Sequence, residues 1–247
     1  MKVTLIDCTS FDEPRRAAAM LIFAKSTRLE MSPKLYEEIV TWDESDILAE
    51  LDAIARTIPS AWEFLDYTFL IEGVSRGFTH QFVRGRHASY AQQTMRILKV
   101  TGMDDEPFPF VTGPTVREEL KRNKKYCETM DIISDRYNEL IRMGVSIEDA
   151  RGILPTNIAT NIMVKMNLRT FVETVRKRSS PRVQQEYRNV LMDMVRVAVA
   201  QHPFLNVFLQ RDTDNLFNEL YELANDMPEV RRLRMVKLLD ELKPHTS

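Results

Sequence analysis

The spacing of hydrophobic and polar residues along the chain predicts a protein built mainly of helices, with a few short strands. Residues 3–7 are predicted to form a strand. Pro14 is expected near the start of a helix that runs through residues 17–23, because proline is tolerated in a first helical turn. A second helix is predicted at residues 46–57. Residues 65–74 are rich in aromatic and β-branched side chains, which favours a strand.

The rest of the chain favours helices. Ser75 is expected to cap a helix over residues 75–86, and residues 115–143 repeat apolar positions at helical spacing with mixed charges between them. Three more helices are predicted, at residues 168–178, 182–200 and 229–242. The predicted fold class is therefore α/β (α+β), a helix-rich single domain around one small mixed β-sheet.

Length and composition support one globular domain. The chain has 247 residues, of which 44% are hydrophobic and 28% charged, and these values allow a sizeable core. We expect a single domain over residues 1–247, with a helical C-terminal extension at about 203–247. No apolar run approaches the ~20 residues that a membrane span needs.

The cysteines and histidines predict neither a disulfide framework nor a metal site. Cys8 and Cys127 lie far apart in the sequence and have no zinc-ligand spacing, so they are expected to be packing residues. His202 and His245 have no partners at metal-ligand spacing and are expected at the surface. The thirteen methionines and the unpaired cysteines favour a reducing compartment, so a cytoplasmic location is expected.

The chemistry suggested by the sequence is concentrated in residues 73–100. This stretch carries five cations and no Asp or Glu in a chain of formal net charge -2; the cations are Arg76, Arg84, Arg86, Arg96 and Lys99. Such a segment predicts an anion site, whereas a solvated or subunit-packing face usually mixes both signs of charge. Charge alone leaves these interpretations open, although the short polar residues between the cations favour a nucleotide over a long polyanion.

The order of residues in this stretch resembles a known signature. SRGFTHQFVRGRHASYAQQTMR, residues 75–96, is similar to the flavin-dependent thymidylate synthases, which carry Ser-Arg, His-Gln, Arg-His-Arg, Ala-Ser and Ser-x-Arg-Tyr in this order. Three positions depart from that pattern. Gly85 stands where the family has its central histidine, Thr94 replaces a serine, and Ile97 replaces a tyrosine.

A second block, residues 148–188, resembles the same family. It matches the family's Ala-Arg-x-x-Leu-Pro, Asn-x-Arg and Gln-x-Glu elements through Arg151, Leu154, Pro155, Asn167, Arg169, Arg178, Gln184 and Glu186. The resemblance extends from about residue 62 to residue 188. Further departures are Pro59, Phe64 and Arg182, which stand near positions where the family commonly has histidines.

The resemblance implies a deoxyuridylate site and an FAD site. The residues implied for the nucleotide are Gln81, Gln92, Thr94, Arg96, Arg151 and Arg178, with Arg178 also the catalytic residue that stabilises charge on the pyrimidine ring. Those implied for FAD are Arg84, Arg86, Ser89, Asn167 and Arg169. NADPH and methylenetetrahydrofolate are the implied co-substrates, and a homotetramer is the implied assembly.

Two alternatives stay open at this point. The missing imidazoles suggest an enzyme that acts on another pyrimidine nucleotide, such as deoxycytidylate, or that hydroxymethylates it. A different class is a non-catalytic nucleotide- or RNA-binding protein on the same scaffold, although the low net charge argues against a nucleic-acid partner. A flavin spectrum would distinguish the enzymes from the binding protein.

Overall fold

The computed structural model describes residues 1–57, 59–95, 107–178 and 182–209, together with residues 231, 233 and 235. The chain divides into two compact units, Met1–Phe208 and Leu209–Ser247. A single domain with a C-terminal extension stays a prediction. Most of the predicted helix at 229–242 lies outside the described residues.

A four-stranded sheet forms the centre of the first unit. Its strands are β1 (Lys2–Cys8), β2 (Asp66–Ser75), β3 (Ala88–Gln92) and β4 (Ala159–Asn167), and their spatial order is β1-β2-β4-β3. Every pairing between these described strands is antiparallel, so the expectation of a mixed sheet is wrong. The reason is topological. β2 and β3 run in the same direction, but β4 lies between them and pairs with both, so no parallel pair forms.

Ten helices are present in the described part of the chain. They are α1 (Pro14–Lys25), α2 (Pro33–Val40), α3 (Glu44–Thr57), α4 (Arg76–Phe82), α5 (Pro114–Arg117), α6 (Leu120–Arg142), α7 (Ile147–Ala150), α8 (Leu168–Arg178), α9 (Gln185–Gln201) and α10 (Leu205–Leu209). Two 3₁₀ turns, Pro59–Phe64 and Arg151–Ile153, complete the set. A helix-rich α+β fold around one small sheet is confirmed. None of these helices is both long and apolar enough to cross a membrane.

Two predicted helices are shorter than expected. The helix predicted at residues 75–86 ends at Phe82, and the chain then turns into β3, which the sequence analysis did not predict. The helix predicted at 115–143 is divided, because Glu119 has extended backbone angles between α5 and α6. In both places a short loop redirects the chain within what looks like one helical pattern.

The two faces of the sheet differ in burial. Alternate residues of β2 and β4 are fully or almost fully buried, among them Tyr67, Phe69, Ile71, Ile162, Val164 and Met166. Helices α4, α8 and α9 contact the sheet strands. Side chains of the opposite alternation, such as Met163 and Lys165, are exposed. This period of two explains why β4, with its ATNIMVKMN sequence, buries one face only.

His202 is buried, so the expectation that it lies at the surface is wrong. Its Nδ1 lies 2.8 Å from Tyr67 Oη, and its Nε2 lies 3.8 Å from Cys8 Sγ. Burial lowers the pKa of His202 to about 4 and raises the pKa of the Cys8 thiol to about 11. Both groups are therefore neutral at pH 7, and Cys8 is a packing residue rather than a thiolate nucleophile.

Replacing His202 with a residue that does not titrate is predicted to make the free energy of unfolding depend less on pH below pH 6.5. The unfolded chain binds a proton at His202 near pH 6.5, whereas the folded chain does so only near pH 4. Stability therefore falls as the pH drops through this window, by up to about 1.4 kcal/mol per pH unit. Urea unfolding of the parent and of His202→Gln between pH 8 and pH 4.5 measures the difference. Equal slopes below pH 6.5 would contradict a neutral buried imidazole.

Candidate active site

The two sequence blocks meet at Ser75, where β2 ends and α4 begins. The Ser75 hydroxyl accepts a hydrogen bond from the backbone N–H of Phe78 at 3.0 Å, which confirms the predicted cap. Glu186 in the first turn of α9 accepts two more, from the Ser75 backbone N–H at 2.7 Å and from its hydroxyl at 2.6 Å. One carboxylate therefore fixes α9 of the second block to α4 of the first.

A second contact between the blocks lies six residues after Ser75, near the end of α4. Gln81 Nε2 donates to Gln184 Oε1 at 3.1 Å, just before α9. Gln81 is a nucleotide-binding residue in the prediction, and Gln184 is the first residue of the Gln-x-Glu element. The fold therefore brings a predicted nucleotide-binding residue against the second block, although the two residues are distant in sequence.

Arg178 is held at the end of α8 by an aromatic ring of α9. Its guanidinium carbon lies 5.5 Å from the centre of the Tyr187 ring, within the range of a cation–π contact. Tyr187 is buried and packs edge-on against Phe78 and Phe82 of α4. Burial raises the pKa of Tyr187, while the positive charge of Arg178 and its hydrogen bond oppose that rise. Arg178 is thus an exposed cation on a rigid support.

Two neighbouring cations are Arg76, the first residue of α4, and Arg151, the first residue of the second 3₁₀ turn. Arg151 donates from Nε to the Glu148 carbonyl at 3.1 Å, and Arg76 donates from Nη2 to the Gln93 carbonyl at 2.6 Å. Burial lowers the pKa of Arg76, and the positive charge of Arg151 lowers it further. Arg76 Nε is buried without a hydrogen-bond partner in the described structure. This donor excess suits an anion. The sequence analysis included Arg76 in the basic stretch but gave it no role.

The other predicted nucleotide-binding residues lie at the end of β3. Gln92 closes the strand, and its Nε2 donates to Thr79 Oγ1 on α4 at 2.8 Å. The next backbone N–H, that of Gln93, donates to the Asn161 carbonyl at 3.0 Å, and Thr94 follows it at the surface. Arg96 lies outside the described residues. Gln92 and Thr94 are therefore placed near α4, beside the start of β4.

The predicted cofactor-binding residues lie at the opposite end of β3. Arg84 and Arg86 are exposed in the turn between α4 and β3, and neither guanidinium has a hydrogen bond or ion pair within the described residues. Ser89 is exposed on β3 opposite Lys165 of β4. Since β3 rises about 3.3 Å per residue, its two ends are about 13 Å apart. Gln92 and Ser89 are thus separated along this edge strand, whereas Gln81 of the nucleotide set lies next to Arg84, whose backbone N–H donates to the Gln81 carbonyl at 3.4 Å.

Asn167 and Arg169 lie near the same end of the sheet but already have partners. Asn167 follows Met166, the residue opposite Ala88, and its Oδ1 accepts from the Thr170 N–H at 2.9 Å, which caps α8. Arg169 forms ion pairs with Glu63 at 2.6 Å and with Glu173 at 3.2 Å. These bonds raise the pKa of Arg169, so its charge is fixed. The two residues have structural roles as well as the predicted one.

A cleft of about 970 Å³ adjoins the contact between the blocks. One wall is formed by Ser75 and Gly77, another by Gln184 and Glu186, and a third by the segment 110–118. Its size suits a small-molecule ligand, but none of the described residues predicted for the nucleotide or for FAD lines it. Residues 110–118 were not singled out in the sequence, where only the Gly-Pro pair at 113–114 marks them as a loop before α5. In the described ranges no three His, Cys, Asp or Glu side chains group as metal ligands.

Comparison with known proteins identifies the class to which this fold and site belong. The family described as "Thymidylate synthase complementing protein" matches residues 4–204. A protein named "Flavin-dependent thymidylate synthase" from Geobacter sulfurreducens is 35% identical over 205 residues, which are 82% of this chain and 84% of that protein. Proteins of the same name from Sulfurisphaera tokodaii and Thermococcus onnurineus are 33% and 41% identical, over 83% and 52% of this chain and 76% and 52% of theirs. The chain belongs to the thymidylate synthase complementing protein family.

The Ser75–Glu186 contact is predicted to couple the two blocks energetically. Glu186→Ala leaves two donors of Ser75 without their acceptor, and its expected cost is about 1–3 kcal/mol of unfolding free energy. Ser75→Ala is expected to cost more than Ser32→Ala, which removes only a cap on α2, since Ser32 accepts from the Leu35 N–H.

Ser32 and Ser75 both cap a helix, so comparing them isolates the contribution of the Glu186 carboxylate. In the Glu186→Ala background, Ser75→Ala should cost no more than Ser32→Ala does in the parent, and denaturant unfolding of these variants measures both. Strictly additive losses at Ser75 and Glu186 would show that the contact does not couple the helices.

Proposed function

We propose that this protein is a flavin-dependent enzyme that methylates deoxyuridylate at C5 to give thymidylate, with methylenetetrahydrofolate as carbon donor and NADPH as reductant. The observation that carries this proposal is the family match over residues 4–204. The two blocks that resemble the family, residues 75–96 and 148–188, are joined by the Ser75–Glu186 and Gln81–Gln184 hydrogen bonds. The relatives that cover most of this chain are named for the same activity.

The nucleotide is assigned to the surface along α4, next to the start of α9. Gln81, Gln92, Thr94 and Arg151 supply donors and acceptors there, and Arg96 is assigned to the phosphate with them. The buried, unpartnered Nε of Arg76 beside Arg151 fits this assignment, because a phosphate would offset two neighbouring positive charges. This observation concerns the anionic group and does not depend on the identity of the base.

Arg178 is the proposed catalytic residue. A fixed cation next to the pyrimidine ring stabilises the negative charge that develops there during substitution at C5, and it needs no reorganisation because the Tyr187 ring already holds it. A covalent nucleophile is not needed for this role. Cys8 is in any case kept protonated by burial, with its pKa raised to about 11.

FAD is assigned to the other end of β3. The exposed guanidinium groups of Arg84 and Arg86 have no acid partner among the described residues, and with the Ser89 hydroxyl they suit a diphosphate. Asn167 and Arg169 complete the set near the end of β4. When bound, FAD would supply the redox chemistry of the reaction. The chain's residues hold it and position the nucleotide.

A homotetramer and a cytoplasmic location belong to the same proposal. Ile6, at the register shift of β1, and Met163, on the outward side of β4, expose 47% and 42% of their apolar side chains, and such exposed residues suit contact with another subunit. Sedimentation equilibrium of the full chain measures the assembly directly.

The decisive experiment is an anaerobic incubation of the purified protein with FAD, NADPH, methylenetetrahydrofolate and a mixture of deoxyuridylate and deoxycytidylate. Mass spectrometry of the nucleotides reads the product. Thymidylate is the expected product. A methylated or hydroxymethylated cytosine nucleotide would reassign the acceptor, as the missing imidazoles at Gly85, Pro59, Phe64 and Arg182 suggest. Unchanged nucleotides with no flavin spectrum would favour the binding-only protein.

Arg178→Ala and Arg96→Ala are predicted to fail in different ways. Loss of the catalytic cation should lower kcat by about 100-fold or more while flavin binding is retained. Loss of a phosphate-binding arginine should raise KM for the nucleotide by about tenfold or more, since a charged hydrogen bond contributes about 1.5–3 kcal/mol. Steady-state kinetics and a flavin titration separate the two effects.

The control for both arginines is Arg196→Ala. Arg196 is an exposed residue of α9 that pairs with Asp193 in its own helix, so its removal should leave turnover unchanged. Parent-like kinetics in Arg178→Ala would reject its catalytic role.

A further inference from the structure

Gly85 lies directly against the hydroxyl group of Tyr90. A Cβ atom at position 85 would lie 2.7 Å from Tyr90 Oη, 3.6 Å from the Phe82 carbonyl oxygen and 3.9 Å from Tyr90 Cζ. A carbon and an oxygen that are not bonded do not remain at 2.7 Å, so any side chain at this position must displace the hydroxyl. Gly85 has no positive φ, so a substitution would not strain its backbone. Among the described residues, the close contact is the one with Tyr90 Oη.

Tyr90 is held in this position by three contacts. Its hydroxyl donates to the Phe82 carbonyl at 3.0 Å, and its ring packs edge-on against the Phe82 ring with centroids 5.5 Å apart. Its backbone is paired with Val164 in the sheet. Burial raises the pKa of Tyr90 to about 12, so the hydroxyl stays protonated and remains a donor at neutral pH. A movement of the hydroxyl would break the hydrogen bond.

The Phe82 carbonyl is the point where the turn closes. It belongs to the last residue of α4, whose terminal carbonyls have no partner within the helix. Two donors reach it from beyond the helix, the Gly85 N–H at 3.2 Å and the Tyr90 hydroxyl at 3.0 Å. These two bonds fasten both ends of the turn that carries Arg84 and Arg86 to one atom.

The same packing cluster supports Arg178. The Phe82 ring contacts Tyr90 on one side and Tyr187 on the other, with centroids 5.8 Å apart in the second pair. Tyr187 carries the guanidinium of Arg178. A displacement of Tyr90 would therefore be transmitted to the arginine turn and to the support of Arg178.

We propose that Tyr90 is a positioning residue of the cofactor site, whose hydroxyl occupies the space next to position 85 and holds the Arg84–Arg86 turn in place. Glycine at 85 is required by Tyr90, so the histidine of related sequences cannot be restored alone. The role for FAD rests on the proposed function, whereas the steric pairing of Gly85 and Tyr90 does not.

A double-mutant cycle tests the pairing. The four full-length proteins are the parent, Gly85→Ala, Tyr90→Phe and the double variant. Gly85→Ala is expected to lower Tm by about 3 °C or more, because overpacking strains the turn. In the Tyr90→Phe background the nearest remaining atoms lie at 3.6 and 3.9 Å, which are ordinary contacts, so the same alanine should cost almost nothing. Additive losses of Tm would overturn the steric pairing.

FAD affinity of the apoprotein, measured by quenching of flavin fluorescence, tests the positioning role. Gly85→Ala is expected to weaken binding by about tenfold, and the double variant should return to within about threefold of Tyr90→Phe. The pair Gly85→His and Gly85→His/Tyr90→Phe repeats the test with the side chain of the related sequences. In this pair too, only the double variant is expected to bind FAD well.

The two readouts separate the possible failures. Coupled Tm values with FAD affinity unchanged in Gly85→Ala would overturn the positioning role. A parent that binds no FAD would overturn the proposed function and with it the cofactor part of this inference, while the Tm cycle would still decide whether Tyr90 dictates glycine at 85. Arg84→Ala serves as the reference for lost affinity, because it removes an exposed cation without entering the packed cluster.

Discussion

The carboxylate of Glu186 carries the interaction on which the candidate site depends. It accepts both donors of Ser75, the residue at which β2 turns into α4, and so fixes the position of α9 relative to the sheet. Gln184, just before α9, and Tyr187, within it, then make the remaining contacts. Gln184 receives Gln81, and Tyr187 packs against Phe78 and Phe82. A charged acceptor with two short bonds is the strongest contact of this group.

Charge is distributed unevenly over the assembled residues. Arg169 is neutralised by Glu63 and Glu173, which makes it a structural cation at the end of the sheet. Arg151 has one long ion pair, with Glu148 at 3.9 Å, and lies close to Arg76, whose burial makes its charge costly. A protein tolerates such a pair where an anion offsets it, since an uncompensated buried charge lowers stability. The buried, unpartnered Nε of Arg76 is therefore the feature that supports the proposed anion site, whereas the acid partners of Arg169 hold it to the fold.

The sequence predicted local structure well and distant contacts poorly. Helix α8 was predicted with its observed ends, because its apolar stripe and last-turn cations are properties of adjacent residues. Strand β3 was missed, since its five residues follow a helical segment and gain strand structure only by pairing with β4. The insertion of β4 between β2 and β3, which makes the sheet antiparallel, depends on residues about 70 positions away.

The site shows the same division. The motif blocks named residues that the fold brings together, such as Gln81 and Gln184, yet gave no indication that Asn167 caps α8. The burial of His202 could not be inferred either, because its partner Tyr67 lies 135 residues away. Both features depend on which residues meet in the folded chain, and the residue types alone do not predict that.

At two positions where the chain lacks a histidine of the family pattern, Gly85 and Phe64, aromatic side chains occupy the neighbouring space. The Tyr90 hydroxyl fills the space beside Gly85, and Phe64, near a position where related sequences have a histidine, presents a ring that is 60% exposed next to Glu63 of the Glu63–Arg169 pair. A phenyl ring stacks on a planar ligand but cannot donate or accept a proton. Shape and positive charge are thus retained at this end of the sheet, and the imidazole in the turn is that of His87, two residues after Gly85. This composition is consistent with the proposed division of labour, in which the arginines position the ligands and FAD supplies the redox chemistry.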